Sequence, residues 1–353
     1  MTTARSQGSQ GPGLAARSGR HTLTRVFQKR LFLLLSLLFL ITLGLSLFVG
    51  RYPAPYWLSP CHLWQDEMAR QLVLNLRLPR ILAACLLGMT LSACGTVLQM
   101  IFRNPLVEPG FLGISQGAAF GAALSIVYLE ASALLVEGFA ALFACLGLGL
   151  SYFLARRVRY GGWILRLILS GIAVSALFSS GVGVLKYLAD PLTQLPDIVF
   201  WMMGGLWGVT WTDLLYLLPP VIAGLSVVYL MRWRLNLLSL SDETAFSLGA
   251  APRRERLLVL VAAVTATATV VSVAGIVGWI GLLIPHAARR ALGADAQKAL
   301  PASMLLGATF ALVCDDLART LLAGEIPLGI LTSLLGALLF IAMMLSKNIR
   351  VQR

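Results

Sequence analysis

Repeated apolar stretches, each long enough to cross a lipid bilayer, are the feature that most constrains this chain. A membrane-spanning helix needs about 20 mainly apolar residues. The sequence contains nine stretches of this length. A tenth apolar stretch, at 279–288, is too short to cross alone and predicts a half-length helix. We therefore predict an all-α integral membrane protein with about ten transmembrane helices. The nine full-length stretches lie at residues 31–50, 78–101, 111–129, 131–155, 163–188, 213–231, 256–275, 299–322 and 326–345.

The composition also favours a membrane protein over a soluble one. Of the 353 residues, 58% are hydrophobic and 12% are charged, whereas soluble domains carry about 25% charged residues. Residues 1–25 are predicted to form a disordered cytoplasmic tail, and residues 26–353 a single polytopic membrane domain. The net charge of +13 does not indicate nucleic-acid binding, because the basic residues lie in short clusters and no nucleic-acid-binding motif is present.

The distribution of basic residues predicts the orientation of the chain. If the N-terminus is cytoplasmic and the ten helices alternate in direction, 22 of the 28 Lys and Arg residues fall in cytoplasmic segments. This asymmetry is the one that the positive-inside rule describes. We therefore predict that both termini are cytoplasmic. The six basic residues left outside are Arg51, Arg70, Arg77, Arg80, Lys186 and Arg319.

Small residues recur at every fourth position in several predicted helices. Lipid gives helices no hydrophobic reason to associate, so small residues permit the close backbone approach that holds them together. The series in helix 5 has a second interpretation, namely that it lines a translocation pathway. The series are Ala84, Gly88, Ser92 and Thr96 in helix 2; Gly113, Gly117 and Gly121 in helix 3; Gly171, Ser175, Ser179 and Gly183 in helix 5; and Ser303, Gly307 and Ala311 in helix 9.

Few ionisable groups lie inside the predicted spans. Away from the ends, Glu137 is the one Asp, Glu, Lys or His there. Ion-coupled transporters place ligands for the coupling ion at mid-depth, so the pattern disfavours a secondary transporter. The chain also lacks the G-x-x-x-x-G-K-[ST] phosphate loop. Energy from ATP would therefore have to come from a separate subunit.

Catalytic and metal sites are not predicted. A membrane-embedded enzyme would need a catalytic cluster near an interface, and only His286 and the pair Asp315 and Asp316 come close, without evident partners. The five cysteines show no C-x-x-C spacing, which argues against a zinc site and against a disulfide framework. We predict no catalytic residue, no metal and no cofactor.

Four segments interrupt the apolar sequence with polar, Gly and Pro residues at the membrane ends. Together, and in this order, they resemble the permeases of the iron-chelate (siderophore or haem) and cobalamin uptake family, the membrane subunits of type II ABC importers. The resemblance runs from about Arg77 to Leu345 and includes Trp-Met-Met-Gly-Gly at 201–205. It departs at 336–340, where the family usually has a Pro between the Gly and the Phe. The segments are Arg-Leu-Pro-Arg at 77–80, Asn-Pro-Leu-Val-Glu-Pro-Gly-Phe-Leu-Gly at 104–113, Gly-Trp-Ile-Gly-Leu-Leu-Ile-Pro-His at 278–286, and Asp-Asp-Leu-Ala-Arg at 315–319 with Glu-Ile-Pro-Leu-Gly at 325–329.

The resemblance implies a homodimeric permease in the bacterial inner membrane. It would work with two copies of a cytoplasmic ATP-binding subunit and with a periplasmic substrate-binding protein. An inverted repeat of helices 2–5 against helices 7–10 is also predicted, because the segments after helices 2 and 7 are both rich in Gly and Pro and run in opposite directions. Family frequency ranks iron chelates first as cargo, cobalamin second and molybdate a distant third.

Three arginines match family positions that receive acidic residues of the binding protein: Arg77, Arg80 and Arg319. A guanidinium group suits this role because it presents a planar fork to a carboxylate. The alternative for Arg319 is an ion pair with Asp315 one helical turn away. For Arg77 and Arg80, the alternative is anchoring at the level of the lipid headgroups.

The loop 234–255 matches the family element that couples the permease to its ATPase. Its apolar side chains have no other evident purpose in water, since exposed apolar patches usually mark partner contacts. Ser241 or Asp242 can cap a short helix that Gly249 ends. The alternative is a helix that lies in the headgroup layer. The residues that we expect to contact the ATPase are Leu237, Leu238, Leu240, Asp242, Glu243, Phe246 and Leu248.

The resemblance also implies a cytoplasmic gate. In cobalamin-type members, the positions that match Asn104 and Leu106 contribute to this gate, opposite a loop that matches about Ile164 and Leu165. The alternative for Asn104 and the following proline is a helix C-cap and turn.

Overall fold

The computed structural model describes residues 13–51, 56–61, 65–129, 132–322 and 324–345, with side chains from Phe27 onward. Two short strands, β1 (Val49–Gly50) and β2 (Tyr56–Trp57), pair antiparallel after the first helix. A 3-10 turn at Pro109–Leu112 precedes α3. The helices are α1 (Gly13–Phe48), α2 (Glu67–Phe102, with a π-helical turn at Val73–Arg77), α3 (Ile114–Tyr128), α4 (Ala133–Arg157), α5 (Trp163–Leu188), α6 (Gln194–Met203), α7 (Trp211–Leu230), α8 (Arg232–Leu238), α9 (Asp242–Ser247), α10 (Pro252–Ala274), α11 (Ile280–Leu292), α12 (Ala296–Thr320) and α13 (Leu328–Leu345).

The helix count confirms the predicted membrane architecture. Among the described residues, eight helices are long and apolar enough to cross a bilayer, and α3, with 15 residues, is a shorter apolar helix. The predicted half-length helix corresponds to α11, which has 13 residues. The described residues are therefore nearly all helical, and ten of their helices correspond to the ten predicted membrane helices.

Three boundaries differ from the prediction. Helix α1 begins at Gly13, inside the segment predicted to be disordered; residues 1–12 of that segment lie outside the described residues. Helix α2 begins at Glu67 instead of 78, because Asp66 accepts the N–H of Met68 and caps it. Helix α6 was not predicted, since its 10 residues are fewer than a span requires.

Helix α2 forms the centre of the bundle. Over the 18-residue stretch of α2 that is apolar enough to cross a bilayer, 83% of the residues are buried inside the protein. The helix packs against α7, α10, α11 and α12. Helices α3, α4 and α5 pack against one another beside it. Helix α1 lies at the periphery, where it contacts mainly α12. Over its 18-residue apolar stretch, only 6% of the residues are buried.

The small residues of α2 and α12 pack as the sequence predicts. A Cβ atom on Gly88 would overlap the carbonyl oxygen of Gly307, and one on Gly307 would overlap that of Gly88. Further along the same two helices, the hydroxyls of Thr96 and Ser303 lie 3.0 Å apart and form a hydrogen bond. Close backbone approach and an interhelical hydrogen bond thus hold these two helices together, as expected in lipid.

The inverted repeat stays a prediction. In its favour, the second helix of each proposed half is the short one, α3 in the first and α11 in the second. Each short helix follows a loop in which a glycine has positive φ: Gly113 (81°) before α3 and Gly275 (67°) before α11.

Candidate functional site

Arg80 lies in an ion-pair network at the predicted outer end of the bundle. Its Nε atom is 2.9 Å from Oδ1 of Asp315 on α12, and its Nη1 atom is 2.8 Å from Oε2 of Glu325. Asp315 is fully buried. A carboxylate at such a position persists as a charge only when it is paired, so Arg80 neutralises it from the neighbouring helix.

Arg319 shares the same carboxylate. Its Nε atom lies 3.2 Å from Oδ2 of Asp315, one turn earlier on α12. Its Nη2 atom pairs with Asp316 and lies 3.0 Å from the hydroxyl of Ser46 on α1. The in-helix pair considered as an alternative for Arg319 is therefore present. Asp315 and Asp316 do have partners, which corrects the expectation drawn from the sequence.

Arg77 lies beside this network. Its Nη1 atom donates to the backbone carbonyl of Leu47 at 3.1 Å. Like Arg80 and Arg319, it is less than 10% exposed. The three arginines line one cavity of about 550 Å³, together with Arg51 and Glu325. The three arginines thus lie together, but they are buried and bonded within the chain instead of standing free at the surface. Their docking role stays a prediction.

The predicted coupling loop folds into two short helices, α8 and α9. The hydroxyl of Ser241 accepts the N–H of Thr244 and caps α9, and Gly249 follows its end with a φ of +80°. Ser241 and Gly249 are among the residues that the sequence predicts at the start and the end of this helix. Phe246 is 73% exposed and Leu248 is 55% exposed. An exposed aromatic ring therefore lies on α9, and an exposed leucine directly follows the helix.

The coupling residues divide into exposed and buried groups. Leu240 and Glu243 are exposed, whereas Leu237 is half-buried. Leu238 is 0% exposed and belongs to the core. The prediction that Leu238 contacts a partner is corrected, because this side chain packs inside the permease. Helix α8 has leucines on more than one side. The side that holds Leu235 and Leu238 packs against the bundle, so Leu238 is buried.

Arg256 fixes α9 to the transmembrane helix α10. Its Nη1 atom lies 2.6 Å from Oδ1 of Asp242, and its Nη2 atom donates to the carbonyl of Leu238 at 3.0 Å. Arg256 is 3% exposed. From the sequence, Arg256 is recognisable only as one of the cytoplasmic basic residues. In the structure, its buried guanidinium joins both short helices to α10.

The predicted gate residues lie in the loop after α2, which holds Asn104 and Leu106, and in the first turn of α5, which holds Ile164 and Leu165. The Phe102 ring, at the end of α2, stacks on the Trp163 ring at the start of α5, with centroids 6.4 Å apart. Leu106 and Leu165 are both exposed, and Ile164 is half-buried. The side chain of Asn104 accepts the N–H of Leu106 at 2.9 Å, which is the turn considered as its alternative. The gate role stays a prediction.

The predicted pathway residues on α5 do not share one environment. Gly171 is buried, and a Cβ atom there would overlap the carbonyl oxygen of Phe111, so it serves helix packing. This corrects its assignment to a pathway. Ser175 lines a cavity of about 340 Å³ with Glu108. Ser179 and Gly183 are exposed along the helix. Among the described residues, no group of three or more His, Cys, Asp or Glu is placed to hold a metal.

Comparisons with known proteins match this architecture over most of the chain. Residues 37–346 match the FecCD transport family. The molybdate import permease MolB of Haemophilus influenzae is 40% identical over 87% of this chain and 92% of its own length. The hemin transport permease HmuU of Yersinia pestis is 41% identical over 78% of this chain and 82% of its own length.

A solved structure shows the same fold. It is described as an inward-facing conformation of a metal-chelate type ABC transporter. The two structures superpose with a TM-score of 0.83 at 39% sequence identity, over 90% of this chain and 99% of the other. These matches confirm the resemblance that the four interrupted segments indicate.

Proposed function

Because the chain belongs to the FecCD transport family, we propose that it is the permease subunit of an ABC importer for an iron chelate, either a siderophore complex or haem. The chain itself performs no ATP hydrolysis. Two cytoplasmic ATP-binding subunits power it, and a periplasmic binding protein delivers its cargo. The observation that carries this proposal is the exposed apolar surface of α9, held on α10 by Arg256.

A partner surface explains α9 better than a structural role does. Phe246 and Leu248 project away from the bundle, and exposed apolar groups of this kind mark protein contacts. Buried aromatic and aliphatic anchors usually dominate the binding energy of an interface. Because α9 is bonded to Arg256, movement of the ATPase would reach α10, which packs against α2 in the centre of the bundle.

The permease works as a homodimer in this proposal. Helix α5 presents a long exposed face that includes Ser179 and Gly183, and a second copy facing it would enclose a passage between the two permeases. The binding protein, and not this passage, selects the cargo. The permease lies in the inner membrane, with both termini and α9 on the cytoplasmic side.

Molybdate is a second candidate cargo. The specific observation in its favour is the identity to the molybdate import permease of Haemophilus influenzae, which extends over 92% of that protein. The relative that transports hemin is equally similar over a shorter length, and it favours the iron-chelate assignment.

Uptake by the reconstituted importer tests the proposal. The permease, its ATPase and its binding protein would be placed in proteoliposomes with ATP on the ATPase side. Radiolabelled ferric siderophore, haem, molybdate and cobalamin would then be supplied separately to the opposite side. The proposal predicts ATP-dependent accumulation of an iron complex. Accumulation of molybdate alone would transfer the assignment to the second candidate, and ion-driven uptake without ATP would reject the importer.

A further inference from the structure

A cavity of about 850 Å³ lies between α1, the end of α7 and the start of α12. Its volume falls within the range of about 300–1,000 Å³ that small-molecule sites usually have. It lies at the predicted cytoplasmic end of the peripheral helix α1. Phe32 and Leu33 form part of its wall, and Leu33 is 68% exposed. In the orientation predicted from the basic residues, the cavity lies where the apolar length of α1 meets the cytoplasmic interface.

Three basic side chains line this cavity: Lys29, Arg232 and Lys298. Arg232 donates to the carbonyl of Tyr229 at 2.8 Å, and its guanidinium lies 4.0 Å from the centre of the Tyr229 ring. Lys298 donates to the side-chain oxygen of Gln28 at 2.7 Å. Within the described part of the chain, none of the three basic groups lies within 4.0 Å of a carboxylate.

The acidic group that lines the cavity, Asp295, has other partners. Its Oδ1 atom accepts the side-chain amide of Asn236 at 2.8 Å and the N–H of Gln297 at 3.0 Å, and it caps α12. Among the described residues, the three basic groups of the cavity are therefore left without a paired carboxylate.

We propose that this cavity binds the headgroup of an anionic glycerophospholipid from the cytoplasmic leaflet. The phosphodiester would lie among Lys29, Arg232 and Lys298, and the acyl chains would follow the exposed apolar side of α1 past Leu33. Basic pockets between helices on the cytoplasmic side suit such headgroups. A free phosphate matches the charge but leaves the apolar wall uncovered, so the geometry favours a lipid. This lipid would tie the peripheral α1 to α7 and α12.

Lipid retention by the purified full-length permease tests this site. Native mass spectrometry in detergent would compare phosphatidylglycerol with phosphatidylcholine of identical acyl chains. We expect at least about a tenfold preference for the anionic lipid. Equal retention of the two lipids would overturn the proposal. Competition by free glycerol 3-phosphate at equal concentration would overturn it too, since it would indicate a phosphate site.

A charge-matched pair of variants locates the site. Removing the three cavity charges should abolish the preference for phosphatidylglycerol, whereas removing three exposed charges at the end of α4 should leave it intact. Loss of the preference in both variants, or in neither, would contradict the cavity as its source. If the first variant does not fold, the unaltered protein still tests the proposal, because competition by glycerol 3-phosphate would show that the site binds phosphate and not lipid. The cavity variant is Lys29→Ala, Arg232→Ala and Lys298→Ala; the control is Arg156→Ala, Arg157→Ala and Arg159→Ala.

Discussion

Arg80 and Asp315 lie 2.9 Å apart in the interior of the bundle and join α2 to α12. Asp315 is fully buried, and its other carboxylate oxygen lies 3.2 Å from Arg319. One carboxylate therefore holds two guanidinium groups, one from its own helix and one from the central helix. Two of the three arginines predicted to dock a binding protein depend on this single side chain for their position.

Breaking this pair should destabilise the permease. Arg80→Ala would leave Asp315 with only Arg319 as a partner, and removing one member of a buried pair commonly costs about 3–5 kcal/mol. Thermal unfolding in detergent would measure the loss. Arg70→Ala is the matched control, since the Arg70–Glu67 pair is exposed, and exposed pairs contribute about 1 kcal/mol or less. Equal shifts in the two variants would contradict a structural role for the buried pair.

Docking of a binding protein should be sensitive to Glu325. Because Glu325 lies 2.8 Å from Arg80, an acidic residue of a partner must compete with it for that guanidinium. Glu325→Gln should therefore strengthen association, as measured by surface plasmon resonance, and it should do so most at low salt. Weaker or unchanged association would indicate that Arg80 does not receive the partner.

Charge reversal of Arg77 and Arg319 is the complementary test of docking. Arg77→Glu with Arg319→Glu should weaken association with the binding protein, yet both positions are buried. Folding of this double variant must therefore be verified by its unfolding temperature before its affinity is interpreted.

Helix packing over glycine predicts a loss of stability when the glycine is replaced. Gly88→Ala should lower the unfolding temperature, because the new methyl group would overlap the backbone of Gly307 on α12. Gly149→Ala is the control, since a Cβ atom there meets nothing within 4 Å. We expect Gly149→Ala to be neutral or slightly stabilising, as glycine is a poor helix former. A similar effect of the two substitutions would reject the close contact.

Reporter fusions test the orientation. Fusions at Arg157 and Arg254 should report the cytoplasm, and fusions near Gln65 and Leu192 should report the outside, because this arrangement places 22 of the 28 basic residues inside. The position 347 should also report the cytoplasm; it lies outside the described residues. One site on the opposite side would reject the ten-helix arrangement.

The sequence predicts the membrane helices well because the bilayer imposes a local requirement. A run of apolar residues must be helical wherever it crosses lipid, and small residues at every fourth position indicate packing without any knowledge of the partner helix. The role of Gly88 and Thr96 in helix packing is predicted in this way. The four interrupted segments indicated the family for the same reason, since each can be recognised from its own residues.

Long-range pairs could not be predicted from the sequence. Arg80 lies 235 residues from Asp315 and 245 from Glu325, so their contact depends on how the helices pack. The burial of Leu238 has a similar cause. Helix α8 has only seven residues, with leucines on several sides, and only the completed bundle decides which of them is covered. The motifs 315–319 and 325–329 did contain the acidic partners.

Transport by a permease with a weakened α9 surface tests whether the chain works with an ATPase. Leu240→Ala with Phe246→Ala removes two exposed side chains, and loss of one interface anchor commonly costs more than about 1 kcal/mol. The permease should still fold and insert. Leu238→Ala is a contrasting control that should destabilise the fold itself by about 2–5 kcal/mol, because that leucine is buried.

The decisive measurement is ATP-dependent cargo uptake by the Leu240→Ala and Phe246→Ala double variant, together with co-purification of the ATPase. We predict that uptake and co-purification are both lost, while the amount of inserted permease and its unfolding temperature are unchanged. A secondary transporter would keep its uptake, because it needs no such partner. Full uptake by the double variant would contradict the assignment of this chain as the permease of an ABC importer.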